Sequence, residues 1–430
     1  MELSNTCAGE TTQKTDSTRT RGTGIVLCAD LNYARRISYH LDVAREVAVV
    51  GGGASGLAAA LAAARAGARV TLLERSKALG RKVLASGGGR CNLTNKDISP
   101  RHYHGECKAL LSRFGEAEAR ELFEGLGLLL MTEPDGRVFP RCGKAQAVVD
   151  VLRSALNELG VDIRLGCGVE SIRRQAERFS LGTLQAERVV LCCGGPAYPQ
   201  MGGTDSGLRL AEALGHDVTR VTPSLVPLCA KPGWVQRLRG IRVDAAVRAE
   251  DFAQSRGELL FTAYGVSGPA ALDLSREVVR RGGAECSVDL FPEMDKAALL
   301  RLLRGRAERF SRRAAKGLLC GMLPDRMPSV FLEEHGFSDH EPLPASALGR
   351  LCDALKAWRF EVSGPRPWDE AMVSAGGVGL GEADIPSMRS KRVEGLFFAG
   401  EMLDVDGDSG GYNLHFAWAS GTLAGASAAS

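Results

Sequence analysis

The chain has 430 residues, 44% of them apolar and 24% charged, which excludes a disordered or membrane-spanning composition and points to two or three domains of roughly 100–200 residues each. Lys and Arg total 54 against 51 for Asp and Glu, a balance too even to favour nucleic acid or an anionic membrane, so a small-molecule substrate is the expected partner. Twelve cysteines are scattered without a C-x-x-C pair, which argues against a metal site and a disulfide framework and for reduced thiols in a cytoplasmic protein.

Residues 1–45 are polar and Thr-rich without sustained periodicity and read as a disordered extension; an upstream start-codon assignment would also explain them. They show no basic patch followed by an apolar stretch and a small-residue cleavage site. Glu46–Val50 is a short β-branched run that enters glycines at once, the pattern of a buried parallel strand. A helix rich in Ala and Leu follows from Ser55 to about Ala66, Gly67 ends it, and Arg69–Glu74 forms the next strand. Glu187–Cys193 is another apolar strand closed by Gly194-Gly195-Pro196, and Thr204-Asp205 starts a helix running to about Leu214. From Val221 to Leu290 the pattern changes to short strands, such as Val243–Val247 and Leu259–Phe261, without helices long enough for crossovers. Residues 293–357 turn helical, and strand-then-glycine patterning returns at Ala371-Met372-Val373 and at Gly395–Gly400. The predicted organisation is a discontinuous nucleotide-binding domain (46–220 with 370–430), a β-barrel-like domain (221–292 with 358–369) and a helical insert (293–357).

Gly51, Gly53 and Gly56 fall as G-x-G-x-x-G between strand and helix, with Glu74 ending the second strand about twenty residues on. The first glycine permits the turn, the second admits a pyrophosphate to the backbone, and the third lets helix pack on strand. Ala54 and Ser55 open the helix whose N–H groups would face the phosphates, Glu74 would accept from ribose hydroxyls, and Arg75 stands beside it. This order of parts points to a dinucleotide without separating FAD from NAD. No second fingerprint is visible, because Gly194-Gly195 and Gly202-Gly203 flank a Pro-containing loop without the spacing. A nicotinamide would therefore dock transiently rather than on a domain of its own.

Residues 80–95, GRKVLASGGGRCNLTN, and the segments LLFTAYGVSGPA, SAGGVGL and FFAGEMLDVDGDSGGYNL resemble the HI0933-like flavoproteins, also called the YhiN or aminoacetone oxidase-like family of NAD(P)/FAD-dependent oxidoreductases. The resemblance runs from about Val47 to Gly425. It implies an α/β fold with an FAD-binding Rossmann-like domain of the glutathione reductase type, carrying inserted β-barrel-like and helical domains. The implied activity is hydride transfer between flavin and a small organic substrate, either amine oxidation or C=C reduction. It further implies that Arg81, Lys82, Gly88, Arg90 and Asn92 lie on a loop beside the pyrophosphate and flavin, with Gly194 at a strand end. Gly400 and Glu401 would lie at the ribitol and pyrophosphate. Gly410, Gly411, Tyr412 and Asn413 would start a final helix facing the isoalloxazine, and Val169, in a strand Cys167–Glu170, would offer backbone to adenine.

Two departures from the family pattern stand out. His415 replaces a common Gln and is a candidate acid–base group, although it could simply hydrogen-bond as Gln would. Thr262-Ala263 lacks a His that several relatives carry. Cys91 reads as structural rather than redox-active, and Tyr264, Trp234 and Trp418 as core aromatics. The run Arg301, Arg304, Arg306, Arg309, Arg312, Arg313 and Lys316 reads as a solvated helix face; the alternative is an RNA-associated flavoprotein or redox sensor that uses it. An FAD-bound protein without catalysis is a third reading.

Overall fold

The computed structural model describes residues 44–430, and the expected 1–45 extension lies outside them except for its last two residues. Val47, Ala48, Val49 and Val50 are buried, and their strand, Glu46–Val50, pairs in parallel with Arg69–Glu74 on one side and Arg188–Leu191 on the other. A strand covered on both faces needs this unbroken apolar run. Asp162–Leu165 and Leu396–Phe398 extend the parallel set outward. Two short antiparallel strands, Arg389–Ser390 and Ala383–Asp384, complete a seven-stranded sheet. The sheet thus draws strands from both ends of the described chain.

The helix after the glycine turn, Ala54–Arg65, packs along the closing helix, Tyr412–Ala429. Their seam is made of small residues: a Cβ at Gly421 would strike the carbonyl oxygen of Ser55, and one at Gly425 that of Ala59. Backbones this close leave no room for a side chain.

The middle of the chain forms a closed antiparallel barrel of six strands: Leu228–Ala230, Gly265–Ser267, Ala253–Phe261, Arg242–Ala249, Ala284–Asp289 and Trp358–Pro365. The expectation of a region without substantial helices is corrected here, because Pro269–Arg281 is a 13-residue helix. Its signals were local: Pro269 at the first turn and Gly282, at φ 81°, just past the end. It buries Ala270, Ala271, Leu274 and Val278 in the barrel core.

Helices Lys296–Arg309, Ala315–Leu319, Met327–Glu334 and Leu348–Lys356 follow. They share that core, with Leu299, Leu303, Phe331 and Leu351 packed alongside Leu259 and Phe261. Trp234 stacks on Trp358 at 3.6 Å between ring centres. Among the described residues no helix is long and apolar enough to cross a membrane, and no group of three or more His, Cys, Asp or Glu is gathered as a metal would require.

Candidate cofactor and substrate site

A cavity of about 920 Å³ opens where the glycine turn, the start of the closing helix and the barrel meet. On the sheet side it is lined by Gly51, Gly53, Ala54, Ser55, Glu74, Arg81, Lys82, Gly88, Asn92, Gly194, Glu401, Gly410, Gly411, Tyr412 and Asn413. Gly51 sits at φ 106°, and a Cβ there would meet the Cys192 backbone. Only glycine makes this turn at low cost. Gly53, Gly88 and Gly194 instead have nothing within 4 Å of where a Cβ would stand. They leave a cradle of exposed backbone on the cavity wall, the form a pyrophosphate-binding surface takes.

Polar groups around the cradle are set rather than loose. Glu74 accepts from the N–H of Gly52 and of Ser76, both at 2.6 Å, which fixes its carboxylate while leaving lone pairs for ribose hydroxyls. Lys82 donates to Glu401 at 2.6 Å, and the other Glu401 oxygen accepts from the N–H of Ser374 at 2.9 Å. Asn92 Oδ1 is buried without a hydrogen-bond partner. An orphaned acceptor on this wall is what a cofactor N–H or O–H would satisfy, so the residues present fit FAD. Residues 81–92, expected as a loop, begin instead as a helical turn that breaks at Ser86 and passes through left-handed Gly87 and Gly88.

Gly411 caps the 18-residue closing helix in a left-handed conformation, φ 105°. Asn413 holds that turn by accepting from the N–H of Gly407 at 2.8 Å and donating to its carbonyl at 2.7 Å. The helix N-terminus therefore faces the cavity, where its N–H groups and dipole would stabilise negative charge on an electron-rich ring edge.

The opposite wall comes from the barrel and its connections: Leu225, Arg256, Gly257, Glu258, Pro269, Leu272, Asp273, Met372 and Val373. Leu225, Leu272 and Val373 form an apolar cluster, and Met372 is half exposed. The barrel helix ties this wall to the segment before the closing helix at three points along one face. Asp273 accepts from Ser409, Arg276 pairs with buried Asp406 at 2.8 Å, and Arg280 reaches Asp404 at 3.7 Å. Nothing in the sequence reading singled out Asp273 or Arg276.

Six residues named from the sequence do not line the cavity. Gly56 and Gly400 are packing positions, where a Cβ would strike Gly51 or Ser55. Arg75 donates to the Gly202 carbonyl at 3.2 Å. Arg90 pairs with Glu133 and lies 3.9 Å over the Phe139 ring. The strand expected at Cys167–Glu170 ends earlier, at Leu165. Val169 stands in the irregular stretch beyond it, next to Gly168, which packs on Arg75, and two residues past an N–H bond from Cys167 to the Glu74 carbonyl of 2.8 Å. His415 is fully buried: its Nε2 donates to the Phe114 carbonyl at 3.1 Å and its Nδ1 is left to accept from Thr94 Oγ1 at 2.8 Å. Burial depresses its pKa to about 4, which keeps the ring neutral and spends both nitrogens on structure.

Cys91 is buried with its thiol pushed up to about 12 by desolvation, so it is inert as a nucleophile at neutral pH. Trp234 and Trp418 are buried and Tyr264 is partly buried; none of the three borders the cavity.

A mostly parallel sheet whose glycine turn, acidic strand end and helix N-terminus converge on one cavity defines a dinucleotide-binding protein. The family model for the HI0933-like protein Rossmann domain matches residues 45–427. The 3-dehydro-bile acid delta(4,6)-reductase of Clostridium scindens is 36% identical over 405 residues, covering 89% of this chain and 98% of that protein. The ribosomal RNA dihydrouridine synthases of Escherichia coli and Haemophilus influenzae are 31% and 30% identical, each covering 86% of this chain and 95% of the relative. The chain belongs to the HI0933-like family and is an FAD-dependent oxidoreductase.

Proposed function

We propose that the protein saturates a carbon–carbon double bond conjugated to a carbonyl in a small, largely apolar molecule, drawing electrons from a reduced nicotinamide that docks transiently. The observation that carries this reading is the apolar barrel wall of Leu225, Leu272, Met372 and Val373 facing the nucleotide cradle across one cavity. The relatives are named for saturating such bonds: one is a delta(4,6)-reductase and the others are dihydrouridine synthases. Bound FAD supplies two-electron chemistry; the chain's own residues hold, orient and shield. Gly53, Gly88 and Gly194 would present backbone to the pyrophosphate, Glu74 would hold the ribose, and the helix after Gly411 would stabilise charge on the flavin. Val169 would offer its backbone to the adenine. Free thiols at every described cysteine suit a reducing cytoplasm.

The test is the visible spectrum of purified protein followed anaerobically through addition of NADH or NADPH and then a cyclic enone. Bleaching by the nicotinamide and return of the yellow form with the enone are expected. A reduced spectrum that no enone reverses, together with bleaching of the oxidised protein by an amine, would replace this reading with amine oxidation.

A second reading has its own observation. Arg301, Arg304, Arg309, Arg312, Arg313 and Lys316 are exposed and have no ion-pair partner among the described residues. Relatives named for ribosomal RNA also remove the even overall charge as an argument against nucleic acid. On this reading the substrate base lies within an RNA held by these cations. Retention on RNA that falls steeply with salt and vanishes in Arg309→Ala/Arg312→Ala/Arg313→Ala would favour it, and no retention at low salt would exclude it.

A further inference from the structure

Building on the reductase reading, we propose that Asp273 is the catalytic acid of this site, delivering the proton that completes saturation of the substrate double bond. Bound FAD, kept reduced by a nicotinamide, would be the source of the hydride that reaches the carbon remote from the carbonyl. The π electrons pass into the carbonyl as an enolate. The O–H bond of Asp273 then breaks as a C–H bond forms next to the carbonyl, and the resulting carboxylate regains its proton from water.

Three titratable side chains reach the cavity from the barrel: Arg256, Glu258 and Asp273. The first two are spoken for at the surface, Arg256 by Asp244 at 3.6 Å and Glu258 by Arg242 at 2.7 Å. Asp273 is the more enclosed and has no Lys or Arg within ion-pair distance among the described residues. One of its oxygens accepts from the N–H of Ser409 at 2.6 Å and the other from the Ser409 hydroxyl at 3.1 Å. Both bonds come from the residue preceding Gly410 and Gly411, so the carboxyl is fixed relative to the turn that faces the flavin. It stands where the apolar wall meets that turn.

The same helix shows what a purely mechanical contact looks like. Arg276 and Arg280 hold the neighbouring segment through opposite charges, Asp406 and Asp404. Asp273 makes the third contact of that row with no counter-charge, and an Asn would hold the same place by accepting from the Ser409 N–H and reversing the second bond, its Nδ2 donating to the Ser409 hydroxyl. Desolvation and the nearby Asp408 raise its pKa to about 6, against the opposing pull of the Ser409 hydrogen bonds and of His102. Tyr412 also borders the cavity, but burial raises its phenol to about 12, a poor match for proton delivery near neutral pH. His102, engaged with Asp408 at 2.9 Å and stacked on Tyr412, does not line the cavity.

The experiment uses FAD-loaded protein, reduced anaerobically and mixed rapidly with cyclohexenone or a conjugated steroid enone between pH 5 and 8. Wild-type reoxidation is expected to slow about tenfold per pH unit above about 6, and Asp273→Asn to slow it by about 100-fold or more and abolish that slope. Infrared difference spectra of the same proteins supply a readout independent of turnover: a protonated-carboxyl band that disappears through about pH 6 in wild type and is missing from Asp273→Asn. Reoxidation at equal rates with equal pH slopes, or a wild-type spectrum with no such band, overturns Asp273 as the acid and leaves the reductase reading standing. Failure of every enone to reoxidise wild-type protein overturns the reductase reading itself.

Discussion

On the sheet side, the cavity is bounded mainly by backbone and by the absence of side chains: Gly51 turns, Gly53 and Gly194 stand clear, and Gly421 and Gly425 let the closing helix approach. On the barrel side it is bounded by side chains, with Leu225, Leu272 and Val373 forming an apolar patch and Asp273, Arg256 and Glu258 the charged groups beside it. Backbone recognition suits a cofactor that never changes, whereas a side-chain wall can be altered one residue at a time without moving the scaffold. The difference predicts that the sheet side fails abruptly on substitution and that the barrel side responds by degrees.

The comparison breaks most visibly at the helix seam. Gly425→Leu should yield no FAD-retaining protein, a loss of more than about 4 kcal/mol, because the new side chain meets the Ala59 backbone. Soluble, yellow Gly425→Leu protein would refute the close-seam argument. Next, Arg276→Met leaves buried Asp406 without its cation and should cost about 3 kcal/mol in denaturant unfolding, with the barrel losing its hold on the segment before the closing helix. A loss under about 1 kcal/mol would show that the clamp is not structural.

Asp273 sharpens the barrel side through pH. Its folded pKa is raised to about 6 from 3.8, so the folded state holds this proton more tightly than the unfolded chain. That contribution is full below about pH 4 and is lost as pH rises through 6. Asp273→Asn should therefore gain about 3 kcal/mol over wild type at pH 8 and nothing at pH 4, read from thermal unfolding across pH. A smaller effect is expected at the ribose end. Glu74→Ala should weaken FAD retention about tenfold, or about 1.4 kcal/mol, by removing an acceptor that also holds Gly52 and Ser76. Unchanged occupancy after dialysis would count against that role.

The smallest change expected is His415→Gln, within about 0.5 kcal/mol at pH 7.5, because Gln can both donate to Phe114 and accept from Thr94. The imidazole is depressed to about 4 from 6.5, so its contribution is present above about pH 6.5 and lost as pH falls toward 4. The Gln variant should overtake wild type in acid, and a parallel decline of both would contradict the buried neutral ring.

Much of the cofactor side was legible because its signals are local. Strand Glu46–Val50, the three spaced glycines, the following helix and Glu74 lie within thirty residues, each dictated by φ, burial or capping that neighbours alone impose. The closing helix after Gly410-Gly411 came from the family resemblance and not from a local signal. Pro269 and Gly282 also marked a helix locally, but the strands around them outweighed that signal, and the barrel helix was missed. Asp273 and Arg276 carried no sequence signal at all. Their meaning depends on Ser409 and Asp406, which lie 136 and 130 residues further along the chain. The same holds for His415, whose burial against Phe114 and Thr94 turned a candidate acid–base group into a packing residue. By itself the sequence determined the class of cofactor and the turn that receives it, because backbone conformation is set by adjacent residues. Which side chains face the substrate, and which proton they hold, was decided only by the tertiary structure, because desolvation and charge depend on whatever the fold brings close in space.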